Sequence, residues 1–390
     1  MNNIINPNEY GSLFYDNKEK EYLSNVINER RIFRYSKTNY PYASLCEEKI
    51  SNLVGSKYCL TTTSGTSALK TALIGLGVQR NDRVLISSYT FLATALAPIS
   101  IGAIPVPIEV DTKTGLNLND LEKEIKKGCK AIIIVHFQGR TFNLKELKRI
   151  ANKYKIKIIE DACQAFGSNY KGKYAGTIGD IGVYSYQQYK QLSSGEGGAI
   201  VTNNKKIYER MRNYTDMGSK RDRFPNWNDK DALFGENYRM NNLNAAVLYA
   251  QLEKLDMILE KQKQSRSRIM TTLEKNNIKG IINSSDPTGD TSMNILIYIK
   301  DKKEKQNIIS LGKEKNIELR NMWSTLYYNN NLFKKNKLTA KLLKESECKI
   351  TKNFIDKMLV ISIPPILSKN DEKTISDFII YLKTNNYMEW

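Results

Sequence analysis

Lys190 stands in a sequence context that suits covalent chemistry. It follows a run of hydroxyl, amide and apolar residues, 185–189, and precedes the glycine-rich turn 195–198. A lysine that is partly shielded from water loses its proton more easily, and its neutral amine can attack a carbonyl to form a Schiff base. Because Lys and Arg together make up 60 residues, a solvated surface position is the alternative for Lys190 taken alone.

An acidic pair follows an apolar run that is typical of a strand. Glu160 and Asp161 come directly after residues 156–159, which read Ile-Lys-Ile-Ile. In open parallel sheets, ligands bind at the carboxyl ends of the strands, and this makes Asp161 a candidate site residue. An aspartate at such a place also serves as the N-cap of a following helix, which is the alternative.

A third segment, residues 62–69, is a turn of small residues that opens into a helix. Its backbone N–H groups suit a phosphate, although an ordinary capped helix start accounts for the same pattern. Considered together, the three segments are more specific than each alone. A phosphate turn, an acid at a strand end and a lysine downstream of a serine are what pyridoxal phosphate requires.

Composition narrows the chemistry further. One residue among 390, His136, is a histidine, which excludes a multi-histidine zinc site, and no metal is expected. The formal charge of +19 fits anionic small substrates better than nucleic acid, because no nucleic-acid-binding motif accompanies the dispersed lysines. Five widely spaced cysteines, with neither a signal-like nor a membrane-length apolar segment, predict a cytoplasmic protein.

Apolar strands that alternate with helices must position these residues. Strands are predicted at 84–86, 104–108, 131–135 and 156–159, and helices at 41–55, from about 91, at 118–127 and at 144–154. Such an alternation predicts a parallel sheet covered by helices on both faces. One long amphipathic helix, 243–273, is expected to bridge to a smaller α+β domain with a strand at 293–299 and a final helix at 372–382.

The chain resembles the DegT/StrS-type sugar aminotransferases, which belong to the fold-type I pyridoxal phosphate enzymes. The matching stretches occur in the family order: Ser64-Gly65-Thr66, Ser88-Tyr89-Thr90-Phe91, Val135-His136, Glu160-Asp161-Ala162-Cys163-Gln164-Ala165, Gly179-Asp180, Gly195-Glu196-Gly197-Gly198, Gly235-Glu236-Asn237-Tyr238-Arg239-Met240 and Ser362-Ile363-Pro364-Pro365. The resemblance implies a three-layer α/β/α large domain with a mixed, mostly parallel sheet, and a smaller C-terminal α+β domain. We expect an N-terminal arm at 1–20, the large domain at 21–250 and the small domain at 251–390.

The resemblance also implies roles for residues around the cofactor ring. Lys190 would hold the cofactor aldehyde and later shuttle a proton, and Asp161 would pair with the pyridine nitrogen. Gln164 would face the 3-hydroxyl side. Phe91 would stack on the ring, with Tyr89 as the alternative.

Other implied roles concern the phosphate and the assembly. Gly65, Thr66 and Ser185 would bind the phosphate, and Asn237 would reach the phosphate of a neighbouring subunit, which implies a homodimer with shared sites. His136 is expected to be structural, near the cofactor without acting in catalysis.

The family resemblance implies transfer of an amino group from glutamate or glutamine to a keto sugar in amino-sugar biosynthesis. Nucleotide-linked keto sugars are the main class. The Gln187-Gln188 pair resembles the branch that aminates cyclitol ketones, and residues 30–35 resemble members that act on acidic keto sugars. Arg34 would bind an acidic group or, as we favour, form a surface salt bridge.

Two alternatives come from other functional classes. Some relatives that carry histidine at the position of Lys190 are deoxy-sugar dehydratases, so a dehydratase is one alternative. The other is a non-catalytic regulatory or DNA-binding relative. The lysine favours transamination over both.

Overall fold

A mixed sheet of seven strands lies between two layers of helices. The computed structural model describes residues 10–113, 115–218, 232–321, 326, 333, 335 and 348–389. The strands of this sheet are β1 (Tyr58–Thr62), β2 (Arg83–Ser87), β3 (Ile104–Ile108), β4 (Ala131–Val135), β5 (Lys157–Asp161), β8 (Ile181–Ser185) and β9 (Gly198–Thr202). Their order in the sheet is β1-β9-β8-β5-β4-β2-β3. Strands β3, β2, β4, β5 and β8 pair in parallel, and β9 pairs antiparallel with both β8 and β1.

Helices cover both faces of this sheet. They are α1 (Asn17–Asn28), α2 (Tyr42–Val54), α3 (Gly65–Gly75), α4 (Leu92–Ser100), α5 (Leu118–Ile125), α6 (Lys145–Lys153), α7 (Lys205–Thr215) and α8 (Asn242–Glu253). Along β5, Ile159 packs in the core with α3 and α4, whereas the preceding Ile158 packs in the core with α5 and α6. Because successive side chains of a strand face opposite sides, both layers are apolar, which confirms the predicted α/β/α fold.

A second, smaller sheet has four strands that pair antiparallel. It consists of β10 (Ile281–Ile282), β11 (Asn294–Tyr298), β12 (Leu319–Arg320) and β13 (Met358–Ser362), in the order β10-β11-β13-β12. Helices α9 (Leu255–Lys275), α10 (Lys305–Glu314) and α12 (Lys369–Thr384) contribute to its core, and α11 (Lys349–Lys357) leads into β13. A short hairpin of β6 (Asn169–Tyr170) and β7 (Lys173–Tyr174) lies between β5 and β8.

The predicted single helix at 243–273 is wrong in one respect, because the chain breaks it at Lys254. This residue stays in the right-handed helical region, but its φ of −102° and ψ of 0° depart from ideal α-helix values, and it separates α8 from α9. Its ammonium is buried and donates to both Glu19 carboxylate oxygens, at 2.9 and 2.8 Å. Helix α8 packs against α1 and α2, whereas α9 packs against α12. Helices α8 and α9 therefore run from the core of the large sheet to the core of the small sheet.

The predicted N-terminal arm is packed against the protein where it is described. Residues 1–9 lie outside the described residues. Tyr10 is buried and donates to Met293 O at 3.2 Å, and the N–H of Gly11 donates to Lys190 O at 3.2 Å. Helix α1 starts at Asn17, inside the segment expected to be an arm. Among the described residues, no helix combines the length and apolar character that a membrane span needs.

Candidate active site

A cleft of about 510 Å³ opens where β5 and β8 end and α3 begins. Seven of the eight predicted site residues line it: Gly65, Thr66, Phe91, Asp161, Gln164, Ser185 and Lys190. The eighth, Asn237, is exposed on the surface of this chain and does not line the cleft. The parallel pairing of β5 with β8 explains the convergence, because it brings the two carboxyl ends to one edge of the sheet.

Lys190 lies in the turn that connects β8 to β9. The backbone holds it on both sides, since its N–H donates to Gln187 O at 2.9 Å and its carbonyl accepts from Gly11. Desolvation lowers the pKa of the Lys190 amine from its ordinary 10.5, against the opposing effects of Cys163, Asp161 and Glu196. A larger share of this amine is therefore neutral near physiological pH than of a surface lysine, which is the state that attacks carbonyls.

Asp161 is the last residue of β5, and its carboxylate is almost fully buried. Oδ2 accepts from Thr94 Oγ1 at 2.7 Å, and Oδ1 accepts from the N–H of Cys163 at 3.2 Å. Helix-capping was the alternative for this residue, but no regular helix follows β5 directly, and the carboxylate lines the cleft.

The neighbouring Glu160 faces the other side of the sheet, where it contacts His136, the single histidine of the chain. His136 Nε2 and Glu160 Oε2 are 2.8 Å apart, and both side chains are fully buried. Glu160 also accepts from the N–H groups of Gly176 and Ile178, at 2.9 and 2.6 Å. His136 does not line the cleft. It contacts the carboxylate of Glu160, which in turn holds the loop before β8.

The start of α3 provides backbone donors to the cleft. Ser64 caps the helix, with Ser67 N donating to Ser64 Oγ at 3.1 Å and Ser64 N donating to Ser67 Oγ at 3.0 Å. The N–H groups of Gly65 and Thr66 donate to no described residue. A Cβ added at Gly65 would lie 2.8 Å from Ser185 Cβ and 3.0 Å from Cys163 Sγ. The helix cap is therefore confirmed, and phosphate binding by the two remaining N–H groups stays a prediction.

The side chain of Gln164 reaches the cleft in a fixed orientation. Its Oε1 accepts from the backbone N–H of Gln138 at 3.2 Å and from Gln138 Nε2 at 3.1 Å. Gln138 itself accepts from Asn294 Nδ2 at 2.5 Å. The amide of Gln164 thus has its oxygen occupied.

Phe91, rather than Tyr89, belongs to the cleft. Phe91 lines it, whereas Tyr89 is buried against Phe137, with 5.2 Å between the ring centroids. The structure thus separates two residues that the sequence left as alternatives.

These features fit pyridoxal phosphate. The cleft contains an amine with a lowered pKa, a buried carboxylate, two available backbone donors at a helix start, and an aromatic ring. The described residues contain no cluster of three or more metal-ligating side chains.

The prediction that Arg34 forms a salt bridge at the surface is wrong in the location of the bridge. Arg34 is buried, and its guanidinium donates to Glu47 Oε1 at 2.5 Å and to Thr61 Oγ1 at 2.6 Å. Glu47 also accepts from the N–H of Thr61 at 2.6 Å, which ties α2 to β1. The salt bridge exists, but it lies in the interior because the segment before α2 folds back over β1.

The residues of the cleft that the sequence analysis missed include Tyr10, Thr94, Gln138 and Arg320. Thr94 could have been found from the sequence, because it lies three residues after Phe91, about one helical turn beyond the matching stretch 88–91. Tyr10 and Arg320 come from distant parts of the chain, and no local pattern marks them. Arg320 lies on β12 and donates to Ser362 Oγ of β13.

Comparison with known proteins agrees with this geometry. The model of the DegT/DnrJ/EryC1/StrS aminotransferase family matches residues 16–379. GDP-perosamine synthase of Escherichia coli O157:H7 is 33% identical over 307 residues, covering 78% of this chain and 81% of that protein.

Solved structures share the fold over nearly the whole chain. The aminotransferase from Psychrobacter cryohalolentis has a TM-score of 0.84 at 24% identity, covering 95% of this chain and 98% of that one. NtdA from Bacillus subtilis, solved with bound cofactor PMP, has a TM-score of 0.81 at 23% identity, covering 94% and 82%. The chain belongs to the DegT/DnrJ/EryC1/StrS aminotransferase family and is a pyridoxal-phosphate-dependent transaminase.

Proposed function

We propose that the protein moves the amino group of glutamate or glutamine to a keto sugar in amino-sugar biosynthesis. The observation that carries the proposal is the position of Lys190, whose amine has a lowered pKa and lines the same cleft as the buried Asp161. Pyridoxal phosphate, when bound, supplies an electron-accepting ring that makes the α-hydrogen of an attached amino acid acidic.

Each cleft residue has a distinct task in this proposal. Lys190 would hold the cofactor aldehyde, and its neutral Nζ would then move a proton between the donor's α-carbon and the cofactor. Asp161 would accept a hydrogen bond from the ring nitrogen and keep that nitrogen protonated. Gln164 would face the 3-hydroxyl oxygen, and Phe91 would stack on the ring.

The start of α3 would hold the phosphate. The N–H groups of Gly65 and Thr66 would donate to its oxygens, with the positive end of the helix dipole behind them. The side chain of Ser185 lies against Gly65, and its hydroxyl would be a further donor to the phosphate. The absence of a side chain on Gly65 allows the start of α3 to approach Ser185 and Cys163 closely.

A nucleotide-linked keto sugar is the substrate class that we favour. The relative named GDP-perosamine synthase supports a nucleotide-linked sugar. The burial of Arg34 against Glu47 removes the residue that pointed to an acidic keto sugar. The cyclitol ketone suggested by Gln187 and Gln188 stays as a second acceptor class, because Gln187 lines the cleft.

Two half-reactions test the function. The protein loaded with pyridoxal phosphate is mixed with glutamate or glutamine, and the released 2-oxo acid is measured per protomer. The aminated protein is then offered nucleotide-linked keto sugars and inososes, with mass spectrometry of the products. Stoichiometric 2-oxo acid and an amino sugar support the proposal. Loss of water from a deoxy-sugar without amination identifies a dehydratase and contradicts it.

A homodimer with shared sites completes the proposal. Asn237 is exposed and outside the cleft of its own chain. Phe91 and Tyr189, which line the cleft, are 53% and 54% exposed, so a second surface has room to cover them.

The five free thiols support a reducing compartment, the cytoplasm, as the site of action.

Subunit mixing tests the shared site. Lys190→Ala and Asn237→Ala are each expected to be inactive, and a mixture that exchanges subunits is expected to regain activity. In such a heterodimer one site has both changes, whereas the other site has neither. A mixture that shows subunit exchange by native mass spectrometry and stays inactive contradicts the shared site.

A further inference from the structure

Two threonine hydroxyls stand in line behind the carboxylate of Asp161. Thr94 Oγ1 donates to Asp161 Oδ2 at 2.7 Å, and Thr90 Oγ1 donates to Thr94 Oγ1 at 2.8 Å. Thr90, Thr94 and Asp161 are 2%, 1% and 5% exposed, so bulk water does not compete for these bonds. The Thr90–Thr94 spacing of four residues, across the start of α4, places the two hydroxyls next to each other.

The direction of these bonds follows from the chemistry of the groups. An ionised carboxylate oxygen can only accept, so the single hydroxyl proton of Thr94 is directed to Asp161. The oxygen of Thr94 is then left as an acceptor for the proton of Thr90. Each bond polarises the next, and the pair acts as one strengthened donor to the carboxylate.

The other carboxylate oxygen is held as well. The N–H of Cys163 donates to Asp161 Oδ1 at 3.2 Å, so both oxygens of the carboxylate are fixed. With Oδ2 held from α4 and Oδ1 held from the chain after β5, rotation about the last side-chain bond is restricted. Asp161 and Thr94 both line the cleft, so this restrained carboxylate forms part of its wall.

We infer that Thr94, supported by Thr90, is a positioning residue that orients Asp161 toward the ring nitrogen of the cofactor and sets how strongly it holds the shared proton. The inference rests on the proposed role of Asp161. It assigns Thr94 no contact with substrate or cofactor. Its effect on the reaction runs through Asp161.

The inference predicts a measurable shift at Lys190. Without the Thr94 hydroxyl, Asp161 holds the shared proton more strongly, so less positive charge faces Lys190. The nitrogen of Lys190, linked to the cofactor, then keeps its own proton to a higher pH. Valine removes the hydroxyl while keeping the branched shape of threonine, whereas serine keeps the hydroxyl and removes a methyl group.

The experiment measures two properties of wild type, Thr94→Val, Thr94→Ser, Thr90→Val and Asp161→Asn. One is the dissociation constant for pyridoxal phosphate, from titration of the apoprotein. The other is the pH midpoint of the absorbance change of the loaded protein. For Thr94→Val we expect about tenfold weaker binding and a raised midpoint. Thr90→Val should move both in the same direction by less, and Thr94→Ser should resemble wild type.

Specific outcomes overturn the inference. Thr94→Val with a wild-type dissociation constant and midpoint contradicts it, and so does Thr94→Ser that behaves like Thr94→Val, because methyl packing would then be the cause. If Thr94→Val does not fold, as judged by circular dichroism, Thr90→Val decides, and an unchanged midpoint there contradicts the inference. Wild type that takes up no cofactor, or Asp161→Asn that binds it normally, would instead refute the proposed function.

Discussion

The backbone N–H of Gln138 donates to Gln164 Oε1 at 3.2 Å and thereby determines which end of the Gln164 amide faces the cleft. A backbone N–H can only donate, so the atom facing it must be the carbonyl oxygen and not the amide nitrogen. Gln138 has φ +55°, an uncommon conformation for a residue with a side chain, and this directs its N–H toward Gln164. The NH₂ group of Gln164 is left as a donor toward the cleft.

This orientation predicts that charge at position 164 is worse than loss of the amide. Gln164→Met removes the donor, and we expect pyridoxal phosphate to bind about tenfold more weakly. Gln164→Glu keeps an acceptor for Gln138 but turns a negative oxygen to the cleft, so the loss should be greater at neutral pH and smaller below about pH 5. Titration of the apoprotein measures both. Gln188→Glu adds the same charge outside the cleft and should bind normally; equal losses for both Gln164 variants would count against the orientation.

Gly65→Ala tests the close approach of α3 to Ser185 at the proposed phosphate site. The added Cβ would lie 2.8 Å from Ser185 Cβ and 3.0 Å from Cys163 Sγ, so the start of α3 or these side chains must shift. We expect binding of pyridoxal phosphate to weaken about ten- to hundredfold. Gly75→Ala is the matched control at the other end of α3, where the new Cβ meets Met211 Cγ at 2.5 Å. This control should change thermal stability without changing cofactor affinity, and equal affinity losses in both variants would argue against a phosphate site at Gly65.

The pH dependence of cofactor attachment reports on Lys190. Only the neutral amine attacks the aldehyde, and burial lowers the Lys190 pKa below 10.5. The rate at which the apoprotein attaches pyridoxal phosphate should therefore rise with pH and then reach a plateau. The midpoint of this rise should lie below pH 10.5. Stopped-flow absorbance measures this rate, with N-acetyl-lysine as the reference amine. A midpoint at or above that of the reference amine would show that burial does not act as described.

Much of the fold could be predicted from local sequence. Strand β4, Ala131–Val135, is apolar at every position, and its bounds match the prediction because a continuous apolar run between helices is typical of a buried parallel strand. The break at Lys254 could not be predicted from local sequence, and the buried ion pair found there joins Lys254 to Glu19, 235 residues away. Helical periodicity continues across it.

The candidate site shows the same division. Lys190 and Asp161 were found because each stands in a short motif beside a strand end. Tyr10 was not found, because its place in the cleft depends on a hydrogen bond to Met293, 283 residues away. Gln138 was missed for a related reason. Its N–H reaches Gln164 from a backbone conformation with positive φ, and no local sequence pattern predicts that conformation.

A stability prediction comes from the start of α10. Lys305 is buried, and its ammonium donates to Ile355 O at 2.7 Å, while burial lowers its pKa from 10.5 to about 8. Between these two pH values the unfolded chain binds the proton and the folded chain does not, so stability should rise as the pH increases across this window. Chemical denaturation at several pH values measures it. Lys305→Met should flatten the rise, whereas Lys303→Met, at an exposed position, should retain it. An identical slope in wild type and Lys305→Met would refute this prediction.

The central claim is that Lys190 holds the cofactor, and reductive labelling tests it most directly. The protein loaded with pyridoxal phosphate is reduced with borohydride, digested and mapped by mass spectrometry, with Lys190→Ala treated in parallel. We expect one phosphopyridoxyl group per protomer, on the peptide that contains Lys190, and no stoichiometric label in Lys190→Ala. A stoichiometric label on any other lysine, or none in a wild-type protein that has bound the cofactor, would contradict it.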